Sequence, residues 1–317
     1  MTDQPSAADR RRIDVHHHIA PPEYLAEVGS AVNAPLRHWS LAKSIEDMDE
    51  GGVATAIVSV TQIAMRLDDR DRVRRLARAC NDYAARMVAD HRGRFGMFTA
   101  LPMPDIEGSL REIDHALDTL KADGVALMTN IGDKWLGDAH YAPVFEELNR
   151  RGAVVYTHPV APDCCRDMLP EFNDSVIEYG ADTSRAIGKL LYSGSAARYP
   201  RIRFIFSHAG GSLPYSAFRF IRHYNNASAE VKAKMPDGFV GGLNKFFYDT
   251  ANTSNVYAMA SFSKLIALSQ LMFGTDFPFG RAAHDAAALA ECGFSAADIR
   301  AIECENAHRL WPRLKPG

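Results

Sequence analysis

The sequence predicts a single α/β domain folded as a (β/α)8 TIM barrel with loop insertions at its C-terminal face. Three observations carry this expectation. Eight short β-rich runs recur along the chain with amphipathic segments between them. Most of these runs are continuously apolar, as strands buried on both faces are. No glycine-rich dinucleotide fingerprint follows the first run, which favours a closed barrel over an open doubly wound sheet.

Strands are expected at 13–18 (IDVHHH), 53–60 (VATAIVSV), 95–101 (FGMFTAL), 124–130 (GVALMTN), 153–159 (AVVYTHP), 203–208, 246–252 (FFYDTAN) and 271–276 (LMFGTD). Amphipathic patterns between them predict helices over 71–91, 109–123 and 141–152, the last ending on Gly152 as a C-cap. Alternating strands and helices imply right-handed crossovers and a parallel sheet. The longest departures from barrel spacing, 19–44, 159–190 and 222–245, are expected to roof a site at the strand ends. Residues 13–317 read as one barrel domain, preceded by a polar, disordered tail over 1–12.

A chain of 317 residues with 47% hydrophobic content can bury a large core. Its formal charge of -3 offers no electrostatic reason to expect nucleic acid or an anionic membrane as partner, so small molecules are the expected ligands. No run approaches about 18 uninterrupted apolar residues, the length a membrane span requires. Five cysteines, odd in number and without a CxxC pair, suggest neither a disulfide framework nor a thiolate zinc site. A reducing cytoplasm fits them best.

The polar residues at the strand ends form a pattern. His16 and His18 close strand 1, His158 strand 5, His208 strand 6 and Asp276 strand 8. An isolated histidine is more often a core or surface residue than a ligand. Five ligand-type side chains at equivalent strand ends are not readily coincidental. Residues i and i+2 share a strand face, so His16 and His18 can both turn inward while His17 faces the helices. We assign His16, His18, His158 and Asp276 to one divalent metal ion, Zn²⁺ first, with Mn²⁺ or Fe²⁺ also suited to such N/O donors. Water or substrate would complete the shell.

The set IDVHHH, VVYTHP, FIFSHAGG and FGTDFP, with the closing ENAHRLW, resembles the amidohydrolase superfamily, in the branch typified by 2-amino-3-carboxymuconate-6-semialdehyde decarboxylase. The resemblance implies the same four ligands and places His208 beside the metal-bound water. It also makes Arg219 an arginine that reaches a neighbouring subunit's substrate carboxylate, and hence implies a homodimer. Strand 4 ends at Thr129-Asn130 without the lysine that binuclear members use as a bridge, which implies a mononuclear site. Residues 129–165, with the GDKWLGD turn and paired cysteines, are similar to the 6-methylsalicylate decarboxylase group.

The function so implied is non-oxidative decarboxylation of a small aromatic acid with an ortho hydroxyl, or of a related unsaturated acid. Asp276 would be the proton donor, and His208 would activate water or hold a substrate oxygen. Arg37 is a candidate to bind the substrate carboxylate, and Trp135 and Tyr192 to pack its ring. Two other readings share the ligand set: hydrolysis of a lactone or related ester or amide by a metal-bound hydroxide, and a non-catalytic metal-binding barrel. An open coordination position argues against the latter.

Overall fold

The computed structural model describes residues 11–61, 67 and 69–315. Eight strands, β1 (Arg12–His18), β2 (Val53–Ser59), β3 (Phe95–Ala100), β4 (Gly124–Met128), β5 (Val154–His158), β6 (Arg203–Phe206), β7 (Phe247–Asp249) and β8 (Leu271–Met272), pair in parallel in chain order. The ring closes where the chain beyond β8 runs along β1. There Val15 N–H donates to the Phe273 carbonyl at 3.0 Å and His18 N–H to the Phe277 carbonyl at 2.7 Å. The (β/α)8 expectation holds. The last two strands are shorter than expected because residues 273–277 pair with β1 instead of extending the ladder to β7.

Two apolar layers hold the barrel. Ile13, Val15, Ile57, Phe98, Tyr156 and Ile205 belong to the cluster that fills its interior, and alternate residues such as Val58, Met97, Val155 and Phe206 pack outward against the helices. The C-terminal segment seals the end where strands begin: Leu310 and Trp311 join the interior cluster, and the Trp311 indole N–H donates to the Asp123 carbonyl at 3.0 Å.

The helix Arg70–Asp90 shows why these segments form. It buries Val73, Leu76, Ala77, Cys80, Ala84 and Met87 at helical spacing, and Asp69 caps its first turn. Burial of each large side chain contributes about 1.5–3 kcal/mol, against roughly 1 kcal/mol for the cap. Packing therefore dominates. The helix Ala142–Arg151 ends on Gly152 in left-handed conformation, φ 61°, as the C-cap requires. The helix expected over 109–123 starts earlier, spans Ile106–Asp114 and continues as one wide turn over His115–Thr119.

Residues 1–10 of the expected tail lie outside the described residues. Arg12 is already in β1, and Arg11 and Arg12 both bind the buried Glu303 carboxylate, at 2.7 and 2.8 Å, so the barrel begins before Ile13. Of the three insertions, the first two supply the cavity wall described below. The third, 222–245, does not: it leads into the start of β7, and its Phe239 stacks on Phe220 at 5.3 Å. Among the described residues no helix is long and apolar enough to cross a membrane.

Candidate metal centre

A bulge in β1 creates the centre. Asp14 pairs with Ala56 and His17 with Val58, so Val15 and His16 together oppose Ile57. Strict alternation from Ile13 and Val15 would send His16 and His18 outward; the extra residue reverses the phase and turns both inward. Asp14 holds the bulge by accepting the His16 N–H at 3.0 Å. It also accepts from the Thr275 hydroxyl at 2.7 Å. His17 points outward as expected, its Nδ1 3.0 Å from Asp14 and its Nε2 2.9 Å from the Ser44 hydroxyl.

The inward imidazoles are oriented from behind. His16 Nδ1 lies 3.0 Å from Asp249 Oδ2, His18 Nδ1 3.1 Å from Ser59 Oγ, and His158 Nδ1 donates to the Pro159 carbonyl at 2.9 Å. A proton held at Nδ1 leaves a bare lone pair on Nε2, the arrangement that metal-binding histidines share. His16 Nε2 is 3.0 Å from His18 Nε2 and 3.1 Å from Asp276 Oδ1, and His18 Nε2 is 2.9 Å from the same oxygen. His158 Nε2 stands 4.0 Å from Asp276 Oδ1. Donors about 2.1 Å from a shared ion sit about 3 Å apart when adjacent and about 4 Å when nearly opposite, so the spacing fits a divalent cation.

His158 Nε2 and Asp276 Oδ1 are buried without a hydrogen-bond partner. Buried lone pairs turned on one another are costly unless a cation lies between them. His208 belongs to the same cluster: its donor atom and those of His16, His158 and Asp276 all lie within 4.8 Å of one another. His208 Nε2 is 3.5 Å from Asp276 Oδ2.

The electrostatics are those of a crowded polar pit. Burial opposes charge on His16, but the Asp249 and Asp276 carboxylates outweigh it and lift the imidazole to about 10. Burial, joined by the neighbouring histidines, holds His158 well below the usual imidazole range. Burial would raise Asp276, yet the positive charge of His16 and the close approach of the His16, His18 and His208 imidazoles keep it well below the usual carboxylate range.

Local backbone conformation brings these groups in. His208 (φ 55°), Ala209 (51°), Asn252 (56°) and Asp276 (60°) are all left-handed, and His208 N–H is pinned by Asp249 Oδ1 at 2.9 Å. Gly211, at φ 66°, follows for a steric reason too: a Cβ there would stand 2.5 Å from the Gly180 carbonyl oxygen. This explains the second glycine of HAGG.

The centre opens into a cavity of about 1280 Å³. Tyr24, Val32 and Leu36 come from the first insertion, and Val160, Arg166 and Ile177 from the second. Two expected substrate contacts are corrected. Arg37 is not on the cavity wall; its guanidinium turns back to the Val32 carbonyl at 2.8 Å. Trp135 is also absent from the wall, because its indole N–H is committed to the buried Asp182 carboxylate at 2.6 Å. Thr129 and Asn130 bind Asp182 as well, and no described lysine lines the cavity. Tyr192 is likewise elsewhere, its hydroxyl donating to the Phe220 carbonyl. Arg219 is exposed on the helix Leu213–Asn225, away from this chain's own cavity. The sequence reading missed Asp249, Ser59, Asn252 and Phe279. Of these, the Asp249 carboxyl near the end of a β-run carried a legible signal.

Fold and site together define a metal-binding barrel of the amidohydrolase type, with imidazole and carboxylate donors at the C-terminal ends of parallel strands. The chain belongs to the amidohydrolase family, whose sequence model matches residues 13–313. It is 33% identical to the 6-methylsalicylic acid decarboxylase of Penicillium expansum over 327 aligned positions, covering 96% of this chain and 97% of the relative. Among solved structures, a dihydroxybenzoic acid decarboxylase of a Polaromonas species, with bound manganese and the inhibitor 2-nitroresorcinol, superposes with TM-score 0.82 at 25% identity, covering 97% of this chain and 98% of that one. The 2,6-dihydroxybenzoate decarboxylase of Rhizobium shares the fold, with TM-score 0.85 at 23% identity, covering 96% and 99% of the two chains.

Proposed function

We propose that this chain is a divalent-metal-dependent, non-oxidative carboxy-lyase acting on a small aromatic acid that carries an ortho hydroxyl, of the 6-methylsalicylate or dihydroxybenzoate kind. The observation that carries the reading is the pair of partnerless buried atoms, His158 Nε2 and Asp276 Oδ1, facing one another in a member of this family. His16, His18, His158 and Asp276 would hold the ion. Zinc is our assignment for a site rich in imidazole; the Polaromonas relative holds manganese. When bound, the cation supplies Lewis acidity toward the oxygens of the acid.

The chain's own groups do the rest. Val32, Leu36, Val160, Ile177 and Phe279 offer an apolar wall to an aromatic ring, and the ring's position over the donor cluster orients its carboxylate inward. A proton is added at the ring carbon bearing the carboxylate, the carbon–carbon bond breaks, and its electron pair returns to the ring as CO₂ leaves. Asp276, ionised at rest, takes a proton at Oδ2 from the His208 imidazole, 3.5 Å away, and passes it to that carbon, while His208 also holds a substrate oxygen and recovers its proton from solvent.

The partner we propose is a second copy of this chain. Tyr215 and Phe218 are 91% and 72% exposed on the helix that carries Arg219, an apolar face with a guanidinium beside it. Five cysteines, all free, support a reducing compartment, the cytoplasm. The test is CO₂ release from 6-methylsalicylate and 2,6-dihydroxybenzoate, measured beside ring opening of aromatic lactones. Lactone hydrolysis without CO₂ would replace the carboxy-lyase reading with the hydrolase one.

A further inference from the structure

Asn252 lies just beyond β7, in a left-handed conformation with φ 56°. Its side-chain amide nitrogen is 2.6 Å from Asp276 Oδ2. An ionised carboxylate only accepts hydrogen bonds, so the amide must present its N–H to that oxygen. The contact makes the two oxygens of Asp276 unlike. Oδ2 faces Asn252 and His208, whereas Oδ1 faces His16 and His18 at 3.1 and 2.9 Å without a hydrogen-bond partner.

We propose that Asn252 is a positioning residue: its amide locks the rotation of the Asp276 carboxylate, so that Oδ1 alone is offered to the metal. This rests on the metal-centre reading given above. The need for such a lock follows from side-chain torsions. The carboxylate torsion of aspartate is broad and nearly two-fold, so nothing within Asp276 itself selects which oxygen turns toward the imidazoles. An N–H donor on one side breaks that symmetry. A charge-assisted bond from a neutral amide does so without placing a second cation beside the metal.

Residue type alone leaves two explanations for an asparagine here. Left-handed backbone favours asparagine and glycine over other residues, so Asn252 could serve its own turn and nothing more. Glycine separates the two, since it accepts the turn at least as well and has no amide.

The experiment compares the full chain with Asn252→Gly, Asn252→Ala and Asn252→Asp. Thermal unfolding, affinity for Mn²⁺ and Zn²⁺ by competition with a chromogenic chelator, and steady-state kinetics with 6-methylsalicylate are measured for each. The proposal expects N252G to stay folded, its melting temperature lowered only by the loss of one donor to a buried carboxylate, while metal affinity falls by about 10- to 100-fold, the usual loss when a residue that orients a ligand is removed. It also expects kcat to fall more than KM rises. N252A should lose as much affinity and melt lower, because its Cβ sits in left-handed backbone; it decides the matter if N252G is poorly folded. N252D, which sets one carboxylate against another, should lose at least as much as N252G. Metal affinity and kcat of N252G within twofold of wild type would overturn the proposal and leave Asn252 a turn residue. A wild-type chain that binds metal yet releases no CO₂ removes the decarboxylase reading and leaves the affinity comparison to decide Asn252. A wild type that takes up no metal overturns both.

Discussion

Asp14 accepts the backbone N–H of His16, two residues further along the same strand, at 3.0 Å. The ladder between them is bulged, and the contact sits at the bulge that turns His16 and His18 to the barrel axis. The same carboxylate accepts from the Thr275 N–H and hydroxyl and contacts His17 Nδ1, tying the first strand to the segment that carries Asp276.

Asp14→Ala should therefore damage fold and site together. Its removal strands several buried donors, at a cost of about 3 kcal/mol or more, and frees the bulge. A lowered melting temperature with loss of bound metal is expected. Asp14→Asn keeps the shape and one acceptor oxygen, and should retain more of both. Calorimetry with metal analysis on the same samples reads the two effects.

Asp285 sets a pH dependence of stability. Burial, then the charges of Asp14, Asp47 and Asp276, raise its carboxyl to about 7, and Oδ2 has no partner. Its folded pKa thus exceeds its unfolded one. Between about pH 4 and 7 the folded chain binds the extra proton, so this group's contribution falls as pH rises through that window and is lost above it. With partial solvent screening the change is roughly 2 to 4 kcal/mol. Asp285→Asn should raise the melting temperature at pH 8 and leave it nearly unchanged at pH 4. Equal shifts at both would contradict the assignment.

Trp135 is expected to matter for stability and not for substrate. Trp135→Phe removes one donor from the fully buried Asp182, costing about 1–2 kcal/mol, with KM for the acid unchanged. A raised KM at an unchanged melting temperature would return Trp135 to the substrate site.

If a second copy covers Tyr215 and Phe218, sedimentation should report twice the 35.0 kDa chain mass. Tyr215→Glu should shift it toward the monomer. If Arg219 serves the neighbouring site, Arg219→Ala should raise KM while leaving metal content intact.

Much of the architecture was legible because parallel strands buried on both faces read as uninterrupted apolar runs, as VATAIVSV and AVVYTHP do. Strand ends then placed His16, His18, His158, His208 and Asp276 near one another, since the five close four separate apolar runs. The bulge was not legible. Ile13 and Val15 predict the opposite phase for His16, and the extra residue of the bulge, where the Asp14 side chain accepts the His16 N–H, reverses it. Arg37 and Trp135 misled for a related reason: a loop residue's type does not reveal its partner, and here Val32 and Asp182 hold them away from the cavity. Asn252 went unseen because its role depends on a residue 24 positions later.

The most direct test measures metal content and CO₂ release from 6-methylsalicylate and 2,6-dihydroxybenzoate on one preparation each of wild type, His158→Ala and Asp276→Asn. The account predicts about one divalent ion per wild-type chain and CO₂ from at least one acid, with both metal and turnover lost in the two variants. Variants that keep full metal and full turnover, or a wild type that takes up no metal when it is supplied in excess, would contradict it.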